Sequence, residues 1–375
     1  MILSHFSVHL PPYSASQGEL LDWVARLHTR ADEVRATPER SPRGPAEMER
    51  LVRRYGCSPE KIGRRYSYIN EFLNTDFSVN EVYRIGSNQA SGVDTRARTE
   101  IYGRIADRVF GELYPVGESA PNHLIHVTCT GYLSPSAAQK LVGTHGWHGR
   151  TDVTHAYHMG CYGALPAIRM AEGFLASRAV PQGGHVDIVH TEVCSLQMDP
   201  ADHSPEQLIV QSLFADGSIR YRLSERPAAG LQVLAVGEYL VPGSSGSMTW
   251  ITGAHGMRMT LAREVPFQIA EYLKPCLENL RARAGLGASR EPMLYAIHPG
   301  GPKIIENLAS FLSLSPDQVH HSQEILRTRG NLSSATLPHV WELLVRDAAV
   351  PTGTPILSLA FGPGLTIFGA VLRKI

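Results

Sequence analysis

The sequence predicts an α/β fold, and three observations lead to that prediction. Short apolar runs typical of buried strands recur along the chain, segments with helical spacing lie between them, and 43% of the 375 residues are hydrophobic. Strands that alternate with helices are typical of an α/β architecture. A chain of this length and apolar content can bury a large core. We therefore expect sheets that are covered by helices.

Strands and helices are predicted in alternation along the chain. Runs rich in aliphatic, β-branched and aromatic residues predict strands at residues 124–129, 151–158, 186–190, 232–236, 293–297 and 356–361. One helix is predicted to begin near Cys161, because apolar residues recur with helical spacing over 165–175. Another follows the turn at Gly330-Asn331 and covers about 336–344.

Composition excludes several classes of function. Lys and Arg number 35 and so do Asp and Glu, so the formal charge is zero, and no basic stripe favours nucleic acid. Because no run of 18 uncharged apolar residues exists, we expect no membrane span, and the N-terminus lacks a signal-peptide pattern. The five cysteines have no paired spacing, which favours a reducing, cytoplasmic location.

Cys161 is a candidate nucleophile. It lies in His-Met-Gly-Cys-Tyr-Gly-Ala, between a predicted strand and a predicted helix. A free thiol has a pKa of about 8.5, and unpaired N–H groups and the positive end of a helix dipole favour the thiolate. A buried structural cysteine is the alternative interpretation of this residue.

His298 and Asn331 complete the residue types that an acyl-transferring thiol needs. His298 follows an apolar run and precedes Pro-Gly-Gly-Pro, and Asn331 lies between Gly330 and Leu-Ser-Ser-Ala. An imidazole can keep a thiol ionised, and a carboxamide can hold the oxyanion that forms. Taken singly, His298 has the alternative of a core histidine and Asn331 that of a helix cap.

These motifs resemble those of the type III polyketide synthases, the chalcone synthase-like branch of the thiolase superfamily. The likeness runs from about Arg53 to Ile375 and includes Leu-Phe-Ala-Asp-Gly around Phe214, with Ala215 for the usual glycine. Near the C-terminus, Ala-Phe-Gly-Pro-Gly-Leu-Thr matches the family's glycine-proline-glycine loop.

The resemblance implies a thiolase fold, with two similar halves in a five-layered αβαβα architecture. It places the nucleophilic cysteine in an N-terminal half, residues 1–218, and the histidine and asparagine in a C-terminal half, residues 219–375. It also implies a homodimer. No repeat is legible in the residues themselves, so this division follows from the resemblance.

The resemblance further implies the chemistry. Cys161 as thiolate attacks an acyl thioester to form an acyl-enzyme, and His298 stabilises the thiolate as an ion pair. His298 and Asn331 then donate to the thioester oxygen of a second substrate, whose α-carbon attacks the Cys161 ester. The implied enzyme needs no metal and no cofactor, because its substrates are carried on phosphopantetheine or coenzyme A.

Seven further residues are expected to line the substrate cavity. The family usually holds two phenylalanines at the cavity mouth, and here one of these positions is a methionine, which adapts to long aliphatic chains. The glycine-proline-glycine loop is expected to shape the wall, although a turn that needs positive φ is a second interpretation. Cys129 is also a rival nucleophile. The expected lining residues are Phe214, Met259, Cys129, Cys194, Gly362, Pro363 and Gly364.

Positions that grip coenzyme A in plant enzymes of the family fall here on Val52, Tyr55 and Pro59, none of which is charged. Basic residues remain nearby and form a possible rim for an acidic acyl carrier protein. An ordinary solvated helix face is the alternative. The residues of this basic rim are Arg53, Arg54, Lys61, Arg64 and Arg65.

These departures resemble bacterial stand-alone ketosynthases that join two carrier-bound β-keto chains and close an α-pyrone. This is our first hypothesis, and two apolar tunnels should then meet at Cys161. The alternatives are an iterative synthase that extends an acyl starter with malonyl coenzyme A, a 3-oxoacyl carrier-protein synthase III-like enzyme, and an inactive chain-length partner subunit. A hydroxymethylglutaryl-type synthase would need a carboxylate beside the cysteine, and no motif positions one. A metal hydrolase lacks a third ligand beside His155 and His158, or His320 and His321.

Overall fold

The computed structural model describes residues 1–86, 89–177, 179–286 and 293–375. The strands are β1 (Ile2–His9), β2 (Tyr13–Ser16), β3 (Arg64–Ser67), β4 (His123–Thr128), β5 (Asp152–Tyr157), β6 (His185–Glu192), β7 (Gly217–Ser224), β8 (Leu231–Leu240), β9 (Met248–Gly253), β10 (Gly256–Leu261), β11 (Leu294–Ile297), β12 (Pro355–Gly362) and β13 (Thr366–Lys374). The α-helices are α1 (Gln17–Val34), α2 (Pro45–Tyr55), α3 (Thr95–Leu113), α4 (Ala137–Thr144), α5 (Ala164–Ala176), α6 (Pro205–Leu213), α7 (Val265–Arg283), α8 (Pro302–Leu312), α9 (Pro316–Arg329) and α10 (Thr336–Arg346). The predicted α/β class is confirmed.

Nine strands form one mixed sheet in the order β11-β12-β13-β8-β1-β7-β6-β4-β5. Strand β1 connects its two parts, because it pairs antiparallel with β7 on one side and with β8 on the other. Strands β9 and β10 form a separate antiparallel hairpin, and β2 pairs with β3.

The two parts of the large sheet have matching strand orders. In the N-terminal part the order β4-β6-β7-β1 combines a parallel pair, β4 and β6, with antiparallel neighbours. In the C-terminal part the order β11-β12-β13-β8 repeats this pattern, with β11 parallel to β12 and the next pairs antiparallel. The expected boundary at residue 218 lies within β7, and the division of the chain there stays a prediction.

Helices α5 and α10 form the middle layer. Helix α5 packs against β4, β6 and β7 and also against β13, and α10 packs against β7 and β11, so each contacts strands from both parts. Half of α5 is fully buried, which is typical of a helix that is covered on several sides. Helices α1, α3 and α4 cover the outer N-terminal face, and α7 and α8 cover the outer C-terminal face. Outer helices, two sheet parts and middle helices give five layers.

All six predicted strands are present, as β4, β5, β6, β8, β11 and β12. The predicted helices are α5 and α10, and a 3₁₀ turn at Ser333–Ala335 separates Asn331 from α10. The sequence predicts one turn before this helix, at Gly330-Asn331, and the structure adds the 3₁₀ turn as a second one.

Two kinds of feature are absent from the described ranges. None of the helices there is both long enough and apolar enough to cross a membrane. No group of three or more His, Cys, Asp or Glu side chains in those ranges is arranged to hold a metal ion.

Candidate active site

Cys161 lies in the turn between β5 and α5, three residues before Ala164, the first residue of the helix. Gly160 has a φ of +78°, a conformation that favours glycine. A Cβ at Gly160 would also lie 2.7 Å from the Cδ of Pro363. Glycine at position 160 therefore allows Pro363 to pack closely against the turn that contains Cys161.

Asn331 reaches the thiol from the other part of the fold. Its backbone is held by a bridge to the end of α6, in which Asn331 N–H donates to Leu213 O over 2.9 Å and Ala215 N–H donates to Asn331 O over 2.8 Å. Burial raises the pKa of Cys161, and the nearby Ser333 and Asn331 side chains counteract part of that shift. The structure thus brings Cys161 and Asn331 together.

His298 follows β11, where its N–H donates to Leu359 O over 2.7 Å. Its side chain is buried, and neither ring nitrogen has a hydrogen-bond partner in the described part of the chain. A Cβ at Gly300 would lie 3.7 Å from His298 Nε2, and Asn331 Nδ2 donates to Gly300 O over 3.1 Å. Gly300 therefore lies between the imidazole and the carboxamide. A buried imidazole with two unpaired nitrogens is rare in a folded core.

Burial controls the protonation of both groups. It raises the pKa of the Cys161 thiol to about 12, and the negative charge of Glu192 acts in the same direction. It lowers the pKa of His298 to about 3. Burial therefore favours the neutral thiol and the neutral imidazole, because it disfavours each isolated charge. The ion pair that we expected from the sequence stays a prediction.

Glu192 is a residue of this site that sequence reasoning missed. It ends β6 and is fully buried. Its carboxylate accepts from Cys129 N–H over 3.0 Å, from the Thr130 hydroxyl over 2.8 Å and from the Ser334 hydroxyl. Burial raises the pKa of Glu192, and these donors oppose that shift. Its sequence context, at the end of a strand that also carries Asp and His, gave no local signal of this role.

A narrow apolar cavity opens at the Cys161 thiol. Of the expected lining residues, Phe214, Met259, Cys129 and Pro363 line this cavity. Gly362 instead faces the ring of Tyr162, and the neighbouring Gly364 has a φ of +139°. Cys194 lies in the 3₁₀ turn Cys194–Leu196 and lines a second cavity next to the first.

Trp250 is the second residue that the sequence did not single out. It pairs with Met259 across the β9–β10 hairpin and lines the Cys161 cavity. Its Nε1–H donates to Cys129 O over 2.9 Å, and its ring stacks on Phe214 with centroids 6.4 Å apart. Its sequence context, Met-Thr-Trp-Ile, resembles any amphipathic strand and gave no signal of this role.

The expected basic rim is only partly available to a partner. Arg53 forms ion pairs with Asp22 and Glu49 on the surface, and Lys61 forms one with Glu306 over 2.7 Å. Placing Arg65 on the rim was wrong, because this side chain is 6% exposed. Side chains alternate between the two faces of β3, so Arg64 points to solvent and Arg65 points inward.

Comparison with known proteins identifies the family of the chain. Residues 50–223 match the family model of the N-terminal domain of chalcone and stilbene synthases, and residues 232–375 match the model of the C-terminal domain. The chain belongs to the chalcone and stilbene synthase family. The family resemblance that we inferred from the motifs is therefore confirmed.

Two relatives illustrate how far the likeness extends within the family. The chain is 31% identical over 243 residues, 65% of its length, to 1,3,6,8-tetrahydroxynaphthalene synthase of Streptomyces coelicolor, and that match spans 64% of the relative, less than two thirds. It is 27% identical over 263 residues to type III polyketide synthase C of Arabidopsis thaliana, covering 68% of this chain and 67% of the relative.

Solved structures confirm the thiolase-like fold of the family. The C-terminal type III polyketide synthase domain of Steely1 from Dictyostelium superposes with a TM-score of 0.81 at 22% identity, over 100% of this chain and 99% of that domain. The Streptomyces coelicolor tetrahydroxynaphthalene synthase gives a TM-score of 0.80 at 23% identity, over 100% and 99% of the two chains.

Proposed function

We propose that the protein is an acyltransferase that condenses two acyl thioesters through an acyl-Cys161 intermediate. The observation that carries the proposal is the proximity of the Asn331 side chain to the Cys161 thiol. Asn331 also donates to the oxygen of Gly300, two residues after the buried His298, whose ring nitrogens have no partner within the described ranges. Unpaired polar groups at a thiol are what a substrate oxygen or a transferred proton needs. Membership of the chalcone and stilbene synthase family supports the same chemistry.

The proposed first step starts from the neutral thiol and the neutral imidazole that burial favours. A neutral imidazole can accept the thiol proton as Cys161 attacks the thioester carbonyl, and the resulting imidazolium then lies near the reacting sulfur. The thiol of the carrier leaves with a proton. In the condensing step, the second thioester loses its α-proton to the His298 imidazole, or loses carbon dioxide when it is a malonyl group, and its α-carbon then attacks the Cys161 ester. The carbon–sulfur bond to Cys161 breaks, and the departing sulfur takes up a proton from His298 or from water. The Asn331 carboxamide and His298 donate to the thioester oxygen that gains charge.

Intact-protein mass spectrometry after incubation with octanoyl-pantetheine tests the acyl-enzyme. We expect a mass increase of one acyl group that is lost in Cys161→Ala. Cys129→Ala tests the rival nucleophile and should keep the acylation, and Cys276→Ala is a control at a buried cysteine of the outer C-terminal core. Acylation that survives in Cys161→Ala and disappears in Cys129→Ala would refute the proposal.

The finer proposal is that two carrier-bound β-ketoacyl chains are joined and closed to an α-pyrone. Met259, which replaces an aromatic residue of the family, lines the Cys161 cavity and supports a flexible, aliphatic substrate. The uncharged Val52 and Tyr55 support a carrier other than free coenzyme A. Exposed Arg54 and Arg64 are the residues of the basic rim that remain for an acidic carrier protein.

An iterative synthase that extends an acyl starter with malonyl coenzyme A is the second candidate. The relatives with tetrahydroxynaphthalene synthase activity in their names favour it. Two tunnels that meet at Cys161 were expected for the first candidate, whereas the thiol lies in one narrow cavity beside a second. Product analysis separates the two: a pyrone from two β-ketoacyl thioesters supports the first, and product formed only with malonyl coenzyme A supports the second.

A homodimer in a reducing compartment completes the proposal. Strand β5 is an edge strand of the large sheet, and an unpaired edge is a natural surface for a second copy. The five cysteines are all free, which supports a cytoplasmic location. Light scattering coupled to size-exclusion chromatography should give twice the chain mass of 41.1 kDa.

A further inference from the structure

A second cavity lies beside the one that contains Cys161, and we call it the inner pocket. Its walls come from α1, from the end of α6, from the 3₁₀ turn at Cys194–Leu196 and from the β9–β10 hairpin. Apolar side chains predominate in its lining, among them Leu20, Trp23, Val24, Phe72 and Met257. Apolar pockets with few polar groups are typical of small-molecule sites.

The inner pocket and the Cys161 cavity share two walls. Phe214 and Trp250 line both of them, and their stacked rings stand between the two spaces. Both spaces are narrow, about 40 Å³ and 20 Å³. A chain that extends from Cys161 into the inner pocket therefore needs lining side chains to move, and the flexible Met198 and Met257 are able to adapt.

One polar group in the inner pocket has an unused hydrogen-bond donor. Arg65 lines the pocket, and its Nε donates to Gln17 Oε1 over 2.7 Å, while its Nη1 donates to the carbonyl oxygens of Gln211 and Phe214. Its Nη2 is buried and has no partner within the described ranges. Among the residues that line this pocket, no other buried side-chain atom in those ranges is unpaired.

The three oxygens that accept from the Arg65 guanidinium are uncharged, so they orient the group but do not balance its positive charge. No carboxylate within the described part of the chain forms an ion pair with Arg65. Burial lowers the pKa of its guanidinium, and Cys57 and then the buried Asp216 counteract that shift. Leaving a buried N–H unpaired costs about 1–3 kcal/mol. A ligand oxygen at Nη2 removes that cost, and a cationic ligand at the same place is repelled.

We infer that the inner pocket binds an aliphatic chain whose end carries an oxygen acceptor, and that Arg65 Nη2 donates to this oxygen. In an enzyme with the proposed function, on which this assignment of the ligand rests, the chain is the distal part of the substrate attached to Cys161. Because carbonyl groups recur along polyketide chains, the guanidinium selects oxygenated chains over purely aliphatic ones. Arg65 is then a residue that determines specificity.

Binding of three eight-carbon probes tests the inference without any catalysis. Octanoate, 2-octanone and octylamine are titrated into the Cys161→Ala protein, and tryptophan fluorescence is followed, because Trp23 and Trp250 line the pocket. We expect octanoate and 2-octanone to bind at least tenfold more tightly than octylamine. Octylamine binding that equals octanoate binding, or no binding of either oxygenated probe, would overturn the inference.

Two substitutions locate the bound probe. Arg65→Met should remove the preference for octanoate over octylamine, whereas Arg329→Met, at another largely buried arginine with an unpaired Nη1, should keep it. Val24→Met narrows the pocket without touching the guanidinium and should weaken octanoate and 2-octanone binding several-fold. If Arg65→Met fails to fold, the preference of the parent protein for octanoate over octylamine and the octanoate affinity of Val24→Met still test the inference. Octanoate affinity that is unchanged in Val24→Met would contradict the inference.

Failure of the proposed function gives a different result. If the probes bind as expected but octanoyl-pantetheine does not acylate Cys161, the result supports the inner-pocket inference and refutes the proposed function. If acylation occurs but octylamine binds as tightly as octanoate, the result supports the proposed function and refutes the role of Arg65.

Discussion

The backbone N–H of Cys129 donates to the Glu192 carboxylate over 3.0 Å. This hydrogen bond ties a wall residue of the Cys161 cavity to a fully buried acid. The Ser334 hydroxyl holds the other carboxylate oxygen and in turn contacts His190 Nδ1 over 3.0 Å. The charge that disfavours the Cys161 thiolate is therefore fixed in place by both parts of the fold.

Substitution of Glu192 should make Cys161 more acidic. Above the pKa of Glu192 its negative charge helps to raise the pKa of the thiol, so Glu192→Gln removes this contribution and the thiolate forms at lower pH. We expect the pH profile of iodoacetamide alkylation at Cys161 to move to lower pH and the rate at pH 8 to rise several-fold. The exposed Glu39→Gln is the control, and a profile that moves to higher pH would refute the assignment.

Glu192→Gln should also reduce stability. Both carboxylate oxygens of Glu192 accept hydrogen bonds from N–H or O–H donors. In Glu192→Gln, the amide NH₂ would replace one oxygen and face one of these donors, so neither group would have an acceptor. Two buried donors that face each other without an acceptor lower the free energy of unfolding by about 1–3 kcal/mol. Urea denaturation of Glu192→Gln and of the control Glu39→Gln measures this loss of stability.

Asn331 should matter for the condensing step and not for acylation. Asn331→Ala removes a donor to the growing oxyanion, and loss of such a donor lowers the rate by about 100- to 1,000-fold. We expect octanoyl-pantetheine to acylate Cys161 in this variant at a rate within several-fold of the parent, while product formation falls by that factor. Loss of acylation and condensation to the same extent would instead assign Asn331 to a structural role. The exposed Asn70→Ala is the matched control.

The sequence predicted the elements whose signal is local. The apolar run before His298 and the helical spacing after Cys161 each gave the right structure, because buried strands and helices leave periodic patterns. The environment of the thiol was not predictable in the same way. Glu192, Trp250 and Arg65 act through contacts between residues more than 30 positions apart, and no local pattern records which face of β3 or β6 turns inward.

Gly362 should not tolerate even a methyl group. A Cβ at this position would lie 2.0 Å from Tyr162 Cδ1, and the Tyr162 ring follows the nucleophile directly in the chain. Gly362→Ala is expected to cost about 1–3 kcal/mol of the free energy of unfolding, as overpacking in cores does, and to slow the acylation of Cys161. The helical Gly111→Ala, which meets open space, should instead stabilise by about 0.5–1 kcal/mol. Urea denaturation of both variants measures the difference, and equal effects would contradict the packing argument.

Asp216 should make the free energy of unfolding fall as pH rises from about 4 to about 6. Burial raises the pKa of this carboxyl to about 6, although N–H groups of Ser195 and Tyr68 donate to it. Because the folded protein binds a proton more tightly than the unfolded chain, the stabilisation is fully present below the unfolded pKa of about 3.9 and is lost through the folded pKa.

The difference in stability between the parent protein and Asp216→Asn isolates this contribution from other titrating groups. The shift corresponds to a change on the order of 3 kcal/mol, at 1.36 kcal/mol per pKa unit. We expect the parent to lose stability relative to Asp216→Asn between pH 4 and pH 6 and the difference to be constant above pH 7. Urea denaturation at closely spaced pH values measures it, with the exposed Asp317→Asn as control. A difference that grows in favour of the parent as pH rises would show that the hydrogen bonds to Asp216 outweigh its burial.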